Sequence, residues 1–516
     1  MVHKVGTAAW MTTCQVFHGI LSFIPHILIA YHLGLTSYTD AYFMASGMIL
    51  SCVGIFRIST FQKIYMSIFP QYTSNLEKLS SLYSSFLLKG SLFMILIMGV
   101  LLLGASQLVH IFAPGFSFIS MDLTLKMFCL LIPSLFYFFL TGIFLAVLHT
   151  YDQFMKPAIV QLLPVGCVAF ASILWLKTYG IYVLIFATLL GYLLNLLLLW
   201  WLVHSCGIRL KLKNNSERQD LLHFLKMLFP FYAGGIAEHF TQLGQNILTS
   251  FLPAGSVSIL SYVRKFRRTI IDYILSPVPT ILHPILTRQI SINDEEHLYR
   301  TLRQTLQYTN YIFLPFIFLF SILSPLLVNL LFNHGAIFTD QLNTLSLILS
   351  WVALGLFFAN MNSIFARTLI AYRKTGILNF AKVGSHVLVL GLSFIFFQWC
   401  GLMGLGIALA CVTPFEFLFI SMALQRYLNI YSLVLSREFI KIVTLNFLIA
   451  GSMGVFIILY LSWILSLQTI FQGVYMGIIV VLYFGIYFVS SWILGFNEFK
   501  FIKSMVLLWS PQKEAL

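Results

Sequence analysis

Charge is what this chain has least of. Only 9% of its 516 residues are Asp, Glu, Lys or Arg, and the 16 acids are about half as many as the 30 bases. Soluble globular domains carry roughly a quarter of their residues as charge, so a water-facing globular fold is excluded. Cysteine is sparse as well. Cys14, Cys52, Cys129, Cys167, Cys206, Cys400 and Cys411 are odd in number and sit mostly within apolar runs, with neither a disulfide framework nor a metal-ligand spacing among them. The chain has no Walker loop, no metal-ligand constellation and no nucleophile elbow. No cofactor is therefore expected, and no work powered by ATP hydrolysis in this chain. The formal charge of +14 is scattered through short segments rather than gathered in one tract, so nucleic acid is not an expected partner. Met1 to Thr13 shows no cleavable signal pattern, and the apolar run that follows is read as an anchored helix.

What is abundant is apolar surface. Hydrophobic residues make up 59% of the chain and Phe alone occurs 50 times. Windows long enough to cross a hydrocarbon core, about 20 residues each, fall at 8–33, 41–69, 84–112, 123–149, 157–176, 181–204, 222–250, 257–287, 304–331, 342–369, 376–397, 402–425, 438–463 and 469–495. The expected fold is therefore an all-α polytopic membrane protein with about 14 transmembrane helices. An even number of spans puts both termini on one side. Loops on the opposite side hold a single cation, Lys177, whereas the terminal side holds Lys78, Arg209, Lys211, Lys213, Arg218, Arg288, Arg300, Arg303, Arg373, Lys374, Arg426, Arg437, Lys500 and Lys503. By the positive-inside rule both termini are cytoplasmic.

An internal repeat is visible. The segment from His26 to Tyr42 resembles the one from Asn246 to Tyr262, and Ile143-Phe144 with Thr150-Tyr151 resembles Ile364-Phe365 with Ala371-Tyr372. Both matches lie at nearly one offset and are separated by six spans, so the halves share an orientation. Parallel repeats of this kind place a transport path at their interface. The expected organisation is an N-terminal lobe over 1–206, a cytoplasmic linker over 207–221, a C-terminal lobe over 222–427, and two further helices with a tail over 428–516.

Span eight carries Arg264, Lys265, Arg267 and Arg268 within five residues. At 1.5 Å per residue, the cluster lies about 10–17 Å along a helix starting near Val257, well inside a hydrocarbon core of about 30 Å. Charge at that depth is a pointer to function. Ser261, Arg264, Lys265, Arg268 and Asp272 share one broad helical face, and Arg268 and Asp272 fall one turn apart. Arginine suits bidentate capture of phosphate oxygens. Either the cluster lines a cavity that takes an anion, or the helix is broken and the cations snorkel to an interface.

Other polar positions join it. Asp40 opens span two, either as a helix cap or as a gate residue. Arg57, further along the same span, is assigned to the cavity, and Lys63 to the interface. Glu238 and His239 in span seven, followed by Gln242, Gln245 and Asn246, form a stripe expected to face the interior; substrate, ion and neighbouring helix all stay open as its partner. His26 and His32 in span one are either proton-sensitive or ordinary packing residues. Lys126, Lys382 and Glu416 are expected at interfaces.

Several motifs resemble one known family. Leu33-Gly34 with Thr39-Asp40-Ala41-Tyr42-Phe43 is similar to the junction of spans one and two in the MurJ/MviN lipid II flippases. Ala113-Pro114-Gly115-Phe116, Ala254-Gly255-Ser256-Val257 and the run Leu331 to Thr339 match in order and spacing. The resemblance implies two six-helix lobes of the multidrug/oligosaccharidyl-lipid/polysaccharide exporter superfamily, with two C-terminal helices forming a lipid-tail groove. It implies transport of an undecaprenyl-linked peptidoglycan precursor across a bacterial cytoplasmic membrane by alternating access, through a cationic cavity. Its partners would be the polyprenyl-linked lipid, membrane lipids and cell-wall synthesis proteins. The chain departs from the family where Pro25-His26 replace an Arg-Asp pair and where Tyr262-Val263-Arg264-Lys265 replaces Tyr-Ala-Asp-Arg, with Arg268 standing at a Glu position. Asp40 carries over directly, Lys265 conservatively, and Arg57 across a gap. Two alternatives remain beside a flippase: a transport-inactive scaffold for cell-wall enzymes, and a drug/cation antiporter on the same fold.

Overall fold

The computed structural model describes residues 2–56, 65, 69, 76–208, 210, 232–275, 277–333, 337–434, 436–466 and 469–496. Among the described residues there is no strand. Arg57 and Lys63 lie outside them, as do Arg209, Lys211, Lys213, Arg218, Lys500 and Lys503. The helices are α1 (Val2–Leu33), α2 (Ser37–Ile55), α3 (Leu76–Leu103), α4 (Ala105–Phe112), α5 (Phe118–Leu131), α6 (Ser134–Thr150), α7 (Met155–Val160), α8 (Leu163–Tyr179) and α9 (Tyr182–Ser205). They continue with α10 (Tyr232–Ser250), α11 (Ser256–Thr269), a π-helical segment (Ile270–Leu275), α12 (Pro277–Ser291), α13 (Glu295–Phe332) and α14 (Thr339–Ala371). The last are α15 (Thr375–Leu424), α16 (Ile430–Val434), α17 (Arg437–Ser466) and α18 (Thr469–Ile493). The fold is all-α and polytopic.

Ten segments among the described residues are long and apolar enough to cross a membrane. One of them, α15, holds two expected spans on either side of Gly401, whose φ of 54° breaks the helical run. Expected spans two, seven and eight are not among the ten. They correspond to α2, α10 and the α11–α12 stretch, which carry Asp40, Glu238 and the basic cluster. Apolar side chains elsewhere face outward: on α3, Leu92 is 70% and Leu103 87% exposed. Such a surface is stable only against lipid.

Local chemistry sets the helix ends. Thr36 and Thr39 form a reciprocal capping box that starts α2, with Thr39 Oγ1 accepting from Thr36 N at 2.9 Å. Pro133, which lacks an N–H, stands at the N-terminus of α6 and separates it from α5 within one expected span. Asp294 caps α13 by accepting from His297 N at 3.2 Å, and the His297 side chain on the same carboxylate holds it below the usual carboxylate range.

The chain forms two compact units. The first comprises 1–269, 334–341 and 382–405; the second comprises 270–333, 342–381 and 406–516. Within the first, α2 packs on α5, α10 and α11, α1 on α8, and α8 on α9. Within the second, α13 packs on α17 and α18 around Tyr311, Leu314, Ile442, Tyr483 and Tyr487, and Tyr487 donates its hydroxyl to the Tyr311 carbonyl at 2.8 Å. Helices in lipid gain little from hydrophobic exclusion and associate through close packing and polar contacts. Gly191 shows this in α9: a Cβ there would lie 2.7 Å from the Pro164 Cα of α8. Asn195, one turn further on, donates to the Val160 carbonyl at 2.7 Å. Gly191→Val should thus force α8 and α9 apart and lower stability by roughly 1–3 kcal/mol, the usual cost of overpacking. A lowered thermal midpoint of the purified protein in detergent checks this.

Candidate functional site

The site is built on the N-terminus of α11. A helix begins with backbone N–H groups that lack intrahelical acceptors and with a partial positive charge. Here the acceptor comes from far away in sequence. Asp40, in the first turn of α2 and only 3% exposed, accepts from Gly255 N through Oδ2 at 2.7 Å and from Ser258 N through Oδ1 at 2.7 Å. The Ser258 hydroxyl adds a contact of 2.6 Å to Oδ1 and lies 3.0 Å from Thr39 Oγ1. Hydrogen bonds to a charged acceptor are worth about 1.5–3 kcal/mol each. Asp40 is thus a cap, but for α11 rather than for its own helix. Gly255 reaches this geometry with φ of 95°, and a Cβ on it would meet the Leu35 carbonyl at 2.7 Å.

With its start fixed in this way, α11 sends its side chains to α1, α2 and α10. Tyr262 is buried and donates its hydroxyl to the His26 carbonyl of α1 at 3.0 Å. The Tyr262, His26 and Phe43 rings lie 5.3–5.9 Å apart, forming an aromatic layer below the Asp40 contacts. Arg264 points to α10, donating to Asn246 Oδ1 at 2.5 Å and to Gln245 Oε1 at 3.0 Å. Gln245 in turn donates to Ser393 Oγ at 3.1 Å. Lys265 points to α1, with Nζ 2.7 Å from Ser22 Oγ and 5.6 Å from the centre of the Phe23 ring. Its charge also acts on His18 and His26. These acceptors of Arg264 and Lys265 are all neutral.

Further along α10, a second group gathers. Glu238 lies within the electrostatic reach of His386, Lys382, Arg268 and His239. The His239 ring occupies the space beside Gly54 of α2 that a side chain there would need. Thr241 donates to the His386 carbonyl at 3.1 Å. Gln242 is half-buried on the same helix.

The structure therefore brings Asp40, His26, Asn246, Arg264 and Lys265 together around α11, and sets Glu238 of α10 within electrostatic reach of His239 and of Arg268 on α11. Asp272 lies in the π-helical segment. The α-helical period that put it one turn from Arg268 ends at Thr269, because π-helical hydrogen bonding takes over from Ile270. Lys382, expected at an interface, lies within electrostatic reach of Glu238, and Lys126 pairs with its exposed neighbour Asp122 at 2.6 Å. Sequence reasoning missed Ser22, His18, Ser258 and Ser393. Ser22 stands one helical turn before His26, a weak signal; the others carried none. Among the described residues, no group of three or more His, Cys, Asp or Glu is placed to hold a metal ion.

Comparison with known proteins gives the chain a family. The family model for the lipid II flippase MurJ matches residues 29–477. A probable lipid II flippase MurJ of Buchnera aphidicola subsp. Baizongia pistaciae is 26% identical over 348 residues, 65% of this chain and 67% of that protein. One from Borreliella burgdorferi is 23% identical over 284 residues, so that match spans 56% of the relative's length. Among solved structures, a lipid II flippase MurJ in an inward closed conformation matches with a TM-score of 0.73 at 20% identity, over 93% of this chain and 99% of the other. An inward-facing multidrug resistance MATE family transporter of the MOP superfamily matches with 0.69 at 12% identity, over 83% and 99%. At these identities the structural matches speak for the fold. The family model, covering most of the chain, speaks for more: this protein belongs to the lipid II flippase MurJ family, whose members are transporters and not enzymes.

Proposed function

We propose that this chain flips an undecaprenyl-pyrophosphate-linked peptidoglycan precursor, lipid II, from the cytoplasmic to the outer leaflet by alternating access. The observation that carries this reading is the setting of Arg264, held by two carboxamide oxygens rather than by a carboxylate. A guanidinium so held keeps its charge available to an anion. A pyrophosphate crossing a low-dielectric region needs such fixed cations, because Coulomb energies rise steeply as the dielectric falls. Lys265 and Arg268 supply more of the same sign, with Arg57 assigned to the same cavity.

In this reading both termini are cytoplasmic in a bacterial inner membrane, and the loops around Leu35 and Ala254 face outward. The lobes are 1–206 and 222–427, joined by the linker 207–221, and the helices of 428–516 offer the lipid tail a path outside the cavity. Asp40 and the aromatic layer beneath it hold the outer side shut while the cavity loads from within; Asp40 must release α11 for the outer side to open. Asp272, on the segment that follows α11, is assigned to gating as well, and cell-wall synthesis proteins are the expected partners. An antiporter for cationic drugs is disfavoured by four cations on one helix.

Two outcomes follow in a bacterium depleted of its own lipid II flippase, with membrane levels matched by immunoblot. The unmodified chain restores growth, whereas Arg264→Glu/Arg268→Glu does not; growth of both strains would remove the role given to α11. Glu238→Gln should leave rescue within about twofold, because the anion site does not include it; an antiporter would lose activity there. Asp40→Asn keeps the shape but loses the charge of the α11 cap. It should weaken the closure by at least the roughly 1.5–3 kcal/mol of one charge-assisted bond and reduce rescue at least tenfold. Full rescue by Asp40→Asn would show that the contact is not part of the cycle.

A further inference from the structure

A third element meets the two loops that hold the Asp40 contacts. Residues 334–341 belong to the first unit although the helix they begin, α14, runs on into the second. Gln341, in the first turn of α14, donates from Nε2 to the Leu35 carbonyl at 3.2 Å and to the Ala254 carbonyl at 3.4 Å. Its other atom, Oε1, accepts from Phe338 N at 3.4 Å, the reach-back bond that a glutamine at this position makes to cap its own helix. One carboxamide thus does two things at once. Its oxygen fixes it to α14, and its nitrogen joins the α1–α2 loop to the α10–α11 loop.

Those two loops are equivalent in the internal repeat, since Leu35 and Gly255 stand 220 positions apart within the matched segments. They also carry the partners of the gate: Gly255 donates to Asp40, and its missing side chain leaves room for both Gln341 Nε2 and the Leu35 carbonyl, each 2.7 Å from where a Cβ would stand. Leu35 is buried at 3% exposure, so its carbonyl is fixed in place. Removing the donor leaves the two sides tied, among the described residues, through the Asp40 contacts, the Ser258–Thr39 hydroxyl contact and packing.

We propose that Gln341 is a positioning residue of the outer closure: it staples the two repeat-related loops so that the Gly255 and Ser258 N–H groups stay aimed at Asp40. The start of α14 thereby takes part in opening and closing the outer side. This rests on the reading that puts these loops outward, but its test does not depend on which lipid is carried.

The test measures access to α11 from outside. The full chain carries Ser261→Cys as its sole thiol, with the seven native cysteines replaced by serine, in intact spheroplasts treated with a membrane-impermeant maleimide. Gln341→Glu keeps the helix-capping oxygen and the side-chain shape but replaces both donations by a carboxylate facing two carbonyls. Gln341→Lys keeps a donor for both. Loss of two neutral hydrogen bonds shifts an open–closed equilibrium by about fivefold or more, so labelling of the introduced thiol should rise by at least that factor in Gln341→Glu. In Gln341→Lys it should stay within about twofold of the protein that retains Gln341. Equal labelling with and without Gln341→Glu, at matched membrane levels, overturns the proposal. So does an equal rise in Gln341→Lys, which would trace the effect to something other than the lost donations. Failure of the unmodified chain to rescue flippase depletion would instead count against the lipid II reading, and the labelling pattern would still decide the role of Gln341.

Discussion

A buried carboxylate on the positive end of a helix is the contact from which the site takes its shape. Asp40 has left water almost completely, and three donors around Gly255 and Ser258 replace its hydration. The exchange works in both directions, because α11 would otherwise begin with unanswered N–H groups in a region where water is scarce. Pinning the first turn of α11 also fixes its rotation. The positions that follow then meet two neighbours: Tyr262 and Lys265 face α1, and Arg264 faces α10. A change in that one contact would turn all three.

The rest of the first unit is arranged so that polar groups can exist in lipid without many ion pairs. The chain has few acids, and Asp40 is committed to a helix end. Amides and hydroxyls take up the work: Asn195 crosses to α7, Gln245 to Ser393, Thr241 to the His386 carbonyl. Close approach at Gly191 and beside Gly54 lets helices come near enough for such short side chains to reach. The outcome is a bundle held by directional contacts rather than by oil-drop exclusion, as expected where the solvent is itself apolar.

Much of this architecture was legible in the sequence, and the limits have physical causes. Hydropathy located the spans because a hydrocarbon core of about 30 Å demands long apolar runs. It separated two spans at Gly401 but missed the break at Pro133, whose flanks on both sides stay apolar, and the π-helical passage after Thr269. The basic cluster was visible because charge is rare here. Asp40 was visible as well, but not its partner, which lies over 200 residues away and presents mainly backbone N–H groups that no side-chain pattern encodes. Gln245 and Asn246 showed as part of a polar stripe without showing that they hold Arg264. Ser22, Ser258 and Gln341 are ordinary residues until folding gives them neighbours.

The choice of amides to hold Arg264 has a consequence for how the protein responds to its surroundings. A carboxylate partner would make the cation's availability depend on local acidity: protonating the acid would free the arginine, and restoring it would recapture the arginine. Carboxamides do not ionise, and arginine stays protonated throughout the pH range of living cells. The two partners of Arg264 therefore keep their neutral state whatever the pH on either side of the membrane. Among the described residues, the hydrogen-bond acceptors of its guanidinium are two neutral dipoles, Asn246 Oδ1 and Gln245 Oε1.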